Sequence, residues 1–468
     1  MSTDAPSDVQ RLPLHTILTF SATSLPVSAL GIALSIFLQP YIAGHLGVGL
    51  TVVGFAYFVA RMIDLPVDPL RGVFMDRTRT RLGRYRVWMV AGAPILMLGV
   101  YMLFMAPKGI GLVYLIVWLL VMYLGSSMAT LSHTAWGAVL ATNYNERSRV
   151  FGLLAAVGVI GALLVLGVAA LAGKDAERHA ALVPQMGWFV LATIPICIGL
   201  VAVFTPEKIA PDVRDGTPRF ALEDYVALAM RPEMLRLLGA EVALTMGPGW
   251  MAALYLFFFR DFLGFSTGGA SGLLGVYIAA GVIGAPLTGW LATKFGKHRT
   301  LMATTTAYSL GLITVLLIPH GNVLGALPTM FWCGFMASGF GLMIRAMIAD
   351  VGDEIRLEQG KERISLVYAL LTMVSKLANA FAVLICYPLL DFFGYHAKES
   401  GGHSPAAIRA LEIIYLFGPI FFVMLGGACF IGWKLDSVKH GEIRRELEAR
   451  DALYEQAPII QSVEGPLP

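Results

Sequence analysis

Charge is what this sequence has least of. Of its 468 residues, 14% are Asp, Glu, Lys or Arg and 57% are hydrophobic. A soluble globular protein carries nearer ~25% charged residues, so the deficit excludes a soluble domain and leaves a polytopic membrane protein. Cysteine is scarce too. Cys197, Cys333, Cys386 and Cys429 all fall in apolar runs without paired spacing, which argues against a zinc site or a disulfide framework. No phosphate-cradling glycine loop is present, so ATP is not the expected energy source, and no enzyme signature emerges. The N-terminus has no signal-peptide pattern: its first residues are polar, and the first apolar run is too long for an h-region. The net charge of +3 gives no reason to expect nucleic acid as a partner.

What is present is a series of apolar runs long enough to cross a bilayer. About twelve lie near 17–43, 50–73, 87–107, 111–141, 150–172, 185–205, 236–262, 271–293, 300–320, 325–349, 365–394 and 407–434. They are numbered here as spans 1 to 12. About 25 of the 34 basic residues fall on one side, which holds both termini, the 206–235 segment and the loops after spans 2, 4, 8 and 10. The positive-inside rule makes that side cytoplasmic. The expected protein is therefore all-α and multi-pass, in the plasma (cell inner) membrane with both termini inside.

The chain also reads as duplicated. Gly72 opens the basic loop after span 2, and Gly289 opens the corresponding loop after span 8, nearly half the chain later. The hydrophilic 206–235 segment falls between. The organisation expected is a six-helix bundle over 1–205, a central cytoplasmic loop over 206–235, a second six-helix bundle over 236–434 and a cytoplasmic tail over 435–468. Two such halves are the layout of a rocking transporter. The tail begins as a charged helix and is expected to be a solvated extension.

The few charges inside the spans are the most informative residues. Asp64 and Asp68 are four residues apart in span 2, on one face of a helix. Each carboxylate costs roughly 2.5–3.5 kcal/mol near the bilayer centre, and two so close resist being ionised together. A bound cation or a proton relieves both penalties. The alternative is a structural pair satisfied by donors such as Arg61 or Lys376. Pro66 and Pro69 each free a backbone carbonyl and open the helix where an ion finds oxygen ligands. Lys376 lies about eleven residues into span 11, roughly 16 Å deep, too far to snorkel and well placed as a counter-charge. Glu241 and Arg345 also lie inside spans, as snorkelling residues or a gate pair. Gly247-Pro248-Gly249 is expected to interrupt span 7 at mid-depth, which directs attention to Trp250 and Tyr255 as cavity residues, with a packed kink as the alternative.

Five segments carry a resemblance. Gly72-Val-Phe-Met-Asp76-Arg77 is similar to the cytoplasmic signature of the major facilitator superfamily. Four others narrow it: Arg61-Met-Ile-Asp64-Leu-Pro-Val-Asp68-Pro69, the basic loop Asp76 to Arg86, Ala349-Asp350-Val-Gly-Asp353-Glu354, and Tyr368-Ala-Leu-Leu-Thr372-Met-Val-Ser-Lys376. Together they resemble the glycoside–pentoside–hexuronide:cation symporter family over essentially the whole membrane domain. The resemblance implies a twelve-helix major facilitator fold working by alternating access, with Na+ or H+ coupled to a sugar, glycoside or uronide. It implies that Asp64 and Asp68 hold the cation, and are metal ligands if that cation is Na+. Lys376 and Thr372 match residues beside that site. Asp76, Arg77, Arg84, Asp350 and Asp353 match elements that close the cytoplasmic side, where Arg147 or Arg149 are available to the acids. No cofactor beyond the coupling ion is implied. The partners are a small solute and membrane lipid, and the chain is expected to act as a monomer.

The departures concern the cargo. Family sugar carriers place one acid on span 1 and another on span 4, one turn before a Trp. Here Trp136 is present, Ser132 stands in the acid's place, and Leu25-Pro-Val-Ser28 has no acid. A carboxylate accepts several hydroxyls at once, so the substrate half of the site has changed. Ser132, His133 and Trp136 remain candidate substrate contacts, with a buried, satisfied histidine as the alternative for His133. A non-sugar, lipid-like solute stays open, because animal lysolipid carriers are similar in plan. An uncoupled scramblase or a membrane sensor would not need the acid pair.

Overall fold

A computed structural model describes residues 12–78, 80–140, 144–171, 176–207, 222–359, 364–397 and 403–456. Among them there is no strand. Eleven helices are long and apolar enough to cross a membrane, and the bent pair Leu50–Asp64 and Val67–Met75 makes a twelfth crossing. The others are Leu14–Gly44, Tyr85–Phe104, Leu112–Leu140, Arg149–Ala170, Ala181–Phe204, Pro232–Phe262, Thr267–Phe295, Lys297–Leu317, Val323–Gln359, Leu366–Phe392 and Pro405–Ala428.

The packing repeats with an offset of six. Spans 1 and 5, 2 and 4, 3 and 4, and 3 and 6 pack in the first half, and spans 7 and 11, 8 and 10, 9 and 10, and 9 and 12 in the second. The halves meet where span 2 lies on span 11, span 5 on span 8 and span 1 on span 7. Small residues make close approaches possible. At Gly334 of span 10 a Cβ would lie 2.0 Å from the Tyr277 carbonyl oxygen of span 8.

Several local expectations are corrected. Gly72 and Gly289 do not open loops but lie inside the helices Val67–Arg77 and Thr267–Phe295. The second of these helices stops at Gly296, whose φ of 89° suits glycine. The Gly247-Pro248-Gly249 run does not break span 7, because the helix Pro232–Phe257 continues through it and changes only at the π-helical turn Phe258–Phe262. The tail is not merely solvated. Span 10 runs for 37 residues, about 55 Å at 1.5 Å per residue, against a hydrocarbon core of about 30 Å. The tail helix Ser437–Gln456 lies along its projecting end, burying Ile443 and Leu447.

On the face away from the termini, polar ties join the halves. Thr51 Oγ1 donates to Asp391 Oδ2 at 2.8 Å, and Tyr387 Oη donates to Gln39 Oε1 at 3.0 Å. On the terminal face the ties named below stay within a half. Glu207 receives the backbone N–H groups of Arg84, Tyr85 and Arg86. That carboxylate caps the helix Tyr85–Phe104, where negative charge is favoured. It fills the space beside Gly83, where a Cβ would come within 2.0 Å.

Candidate functional site

Span 2 is helical to Asp64, breaks at Leu65 and Pro66, and restarts at Val67 with a bend of 41°. Proline at the restart lacks the N–H that would continue the ladder. Arg71, in the restarted segment, reaches both acids. Arg71 Nη1 donates to Asp64 Oδ1 at 2.8 Å and to Asp68 Oδ1 at 2.6 Å. Arg61 Nη1 donates to Asp64 Oδ2 at 3.1 Å, and Lys376 Nζ donates to Asp68 Oδ2. All four carboxylate oxygens therefore have a cationic partner. Arg61 also stacks over Tyr123 of span 4, 3.8 Å from the ring centroid.

The acids are not equivalent. The Asp64 side chain is fully buried, and both its partners come from its own span. The Asp68 side chain is 15% exposed, and one of its partners, Lys376, belongs to the other half. Asp68 with Lys376 is thus a charged link between the halves inside the membrane. Thr372 is one turn away and exposed, with its hydroxyl donating to the Tyr368 carbonyl rather than to the acids.

Arg71 is the residue that sequence reasoning missed. Its spacing of seven from Asp64 and three from Asp68 was a legible signal. Three bases against two acids leave the cluster with a net positive charge. Every oxygen of the two carboxylates already accepts from a base, so a metal ion there would have to displace one, and the described residues hold no group of three or more His, Cys, Asp or Glu able to bind one. The unpartnered buried polar atom on Arg71 is Nε, a donor, which cannot ligate a cation.

The five proposed substrate contacts are seated in packed interior. Ser132 Oγ donates to the Met128 carbonyl of its own helix at 2.6 Å, and His133 Nε2 pairs with the Phe20 carbonyl at 2.8 Å. Trp136 is wholly buried and donates to Pro206 at 3.2 Å. Trp250 Nε1 donates to Ile414 at 3.0 Å, its ring filling the slot left by Gly418, and Tyr255 Oη donates to Ala270 at 2.8 Å. The satisfied-histidine and packed-aromatic alternatives describe His133, Trp250 and Tyr255 here, and Ser132 and Trp136 are bonded to backbone carbonyls as well. An open polar space lies elsewhere, between spans 7, 10 and 11. A cavity of about 260 Å³ is lined by Glu241, Thr245, Pro248, Arg345 and Ser375 among others. Thr245 Oγ1 lies 3.3 Å from Glu241 Oε1 and 3.4 Å from Ser375 Oγ. Glu241 and Arg345 both line this cavity without pairing with each other.

The expected gate residues pair differently from the expectation. Asp350 meets Lys297 at 2.7 Å and His440 at 3.4 Å, Asp353 meets His440 at 3.1 Å, and Glu354 meets Lys439 at 3.1 Å. The tail helix supplies bases where Arg147 or Arg149 were expected. Outside the membrane, the Glu354 carboxylate holds the Lys439 ammonium above the usual lysine range. Arg149 instead reaches the Leu12 carbonyl at 3.2 Å and Glu146 at 3.5 Å. Arg77 is exposed, and the Arg84 guanidinium lies 5.8 Å from the Tyr85 ring centroid. The side chains of Asp76, Arg79 and Arg147 lie outside the described residues.

Two six-span halves around a charged link within the membrane define a secondary transporter, not an enzyme. A family model described as MFS/sugar transport protein matches residues 19–437, and the chain belongs to that family. It is 23% identical to the isoprimeverose transporter of Lactiplantibacillus pentosus, over 86% of this chain and 85% of that protein. It is 21% identical to the sodium-dependent lysophosphatidylcholine symporter 1 of Xenopus tropicalis, over 95% of this chain and 92% of that protein. Among solved structures, the nucleoside transporter NupG superposes with a TM-score of 0.65 at 13% identity, covering 89% of this chain and 98% of that one. That likeness concerns the fold.

Proposed function

We propose that this protein is a cation-coupled symporter of a sugar, glycoside or uronide, with Asp68 as the coupling carboxylate. The observation that carries the reading is the Asp68–Lys376 pair, which ties span 2 of one half to span 11 of the other. A proton delivered to Asp68 removes the charge that holds Lys376 and loosens that tie. Charged groups facing Asp68 are Arg71 and Lys376, with Arg61 and Asp64 behind them. Asp64 keeps its two arginines and stays structural. Coupling of this kind requires only that the ion bind one state of the two-state carrier better than the other.

The cargo meets the second half. Glu241, Arg345, Thr245 and Ser375 give the cavity an acceptor, a donor fork and two hydroxyls, a set suited to a hydroxyl-rich solute. A second reading is favoured by the same cavity: one acid and one base facing a common space also suit a zwitterionic amphiphile. Both readings place the carrier in the plasma (cell inner) membrane as a monomer with cytoplasmic termini.

The test is uptake into proteoliposomes of sugars, glucuronides and lysolipids, with and without ion gradients. Accumulation of one class under an inward gradient is expected, and Asp68→Asn is expected to abolish accumulation while leaving exchange of that substrate. Undiminished accumulation by Asp68→Asn would falsify the reading.

A further inference from the structure

We propose that Arg71 is a tethered cation occupying the place of a metal ion between Asp64 and Asp68, so that Na+ is not the coupling ion. The inference rests on the reading of Asp68 given above and narrows which cation acts there. A metal shared by two carboxylates draws on one oxygen of each. Here a single nitrogen, Arg71 Nη1, lies 2.8 Å from Asp64 Oδ1 and 2.6 Å from Asp68 Oδ1. The remaining two oxygens hold Arg61 and Lys376. Each of the four oxygens already accepts from a cationic donor, so a hard cation bridging the two carboxylates would have to displace Arg71 Nη1.

The guanidinium is a permanent occupant. Arginine side chains are effectively always protonated in proteins. It is carried on the same helix as its two partners, three and seven residues further along, and its side chain is 10% exposed. An occupant fixed to the backbone is never released to either side, so it transfers no gradient energy. The exchangeable position is Asp68 Oδ2, where Lys376 arrives from the other half.

Charge balance points the same way. Three bases against two acids already leave one excess positive charge in a site of low dielectric, where adding a second is unfavourable. Replacing Arg71 by Gln brings the cluster to neutrality and empties the bridging position. One Na+ or Li+ would then restore the native charge.

The experiment measures thermal unfolding of the purified full-length protein in NaCl, LiCl or choline chloride at equal ionic strength. Wild type is expected to have the same Tm in all three salts. Arg71→Gln is expected to have a lower Tm in choline chloride and to regain several degrees, saturably, in NaCl or LiCl. Arg71→Lys keeps the tethered charge and should remain indifferent to the salt. A saturable Na+ stabilisation of wild type overturns the proposal, and so does an Arg71→Gln protein as indifferent to Na+ as wild type. Should Arg71→Gln not yield folded protein, the wild-type and Arg71→Lys arms decide: indifference of both supports the proposal, and Na+ stabilisation of either overturns it. No substrate is needed for any arm. Failure of the coupling reading would show separately, as retained accumulation by Asp68→Asn.

Discussion

In the first half, the charges at the centre of the membrane are crowded and paired with one another. Arg61, Asp64, Asp68 and Arg71 occupy one another, and the polar groups of Ser132, His133 and Trp136 are bonded to backbone carbonyls. In the second half, Glu241 and Arg345 face a cavity of about 260 Å³ and make no ion pair with each other. One half is closed around its charges while the other holds unpaired charges beside open space. Under the function proposed above, this difference divides the labour: the first half carries the ion response and the second the cargo contacts. Lys376 belongs to the second half but bonds into the first.

The comparison is broken most severely at that residue. Lys376→Ala removes the link without disturbing Asp64, and coupling energies of about 1–3 kcal/mol translate to roughly 5–150-fold. A loss of gradient-driven accumulation of that size is expected, measured against protein amount in the membrane. Arg345→Gln or Glu241→Gln sharpens the comparison from the other side. Hydrogen bonds to charged groups contribute about 1.5–3 kcal/mol, so the apparent KM should rise about tenfold or more with the accumulation ratio at saturation unchanged. An unchanged KM would remove the cavity from the cargo path. Tyr387→Phe unties Gln39 on the face away from the termini, and about 1 kcal/mol of lost bonding should raise labelling of engineered cysteines on that face about fivefold. The smallest effect is expected for Ser132→Ala. Its hydroxyl serves its own helix, and uptake should stay within about twofold of wild type.

Much of the architecture was legible because a bilayer leaves few alternatives. Apolar runs gave span 4 as 111–141 against Leu112–Leu140, and span 11 as 365–394 against Leu366–Phe392. Charges inside those runs were rare enough to identify Asp64, Asp68 and Lys376. Arg71 escaped because it stands at the loop-ward end of span 2, where a basic residue already satisfies the positive-inside rule. Its spacing from the acids, three from Asp68 and seven from Asp64, puts it on their face of the helix all the same. Span 10 was cut short at 349 because Asp350, Asp353 and Glu354 end its apolar run, whereas the helix continues to Gln359 with the tail helix shielding those acids. Trp136 and Trp250 were ambiguous for a different reason. An aromatic beside small residues marks a cavity and a tight packing slot equally well in sequence, and Gly418 beside Trp250 makes it the slot.

The central claim is that a proton acting at Asp68 drives the cargo. Its most direct measurement is the external pH of a lightly buffered, sodium-free suspension of cells or proteoliposomes when the transported solute is added. Alkalinisation on addition is predicted for wild type, with none for Asp68→Asn despite retained exchange. Solute entry without alkalinisation, or alkalinisation that survives in Asp68→Asn, would contradict the account.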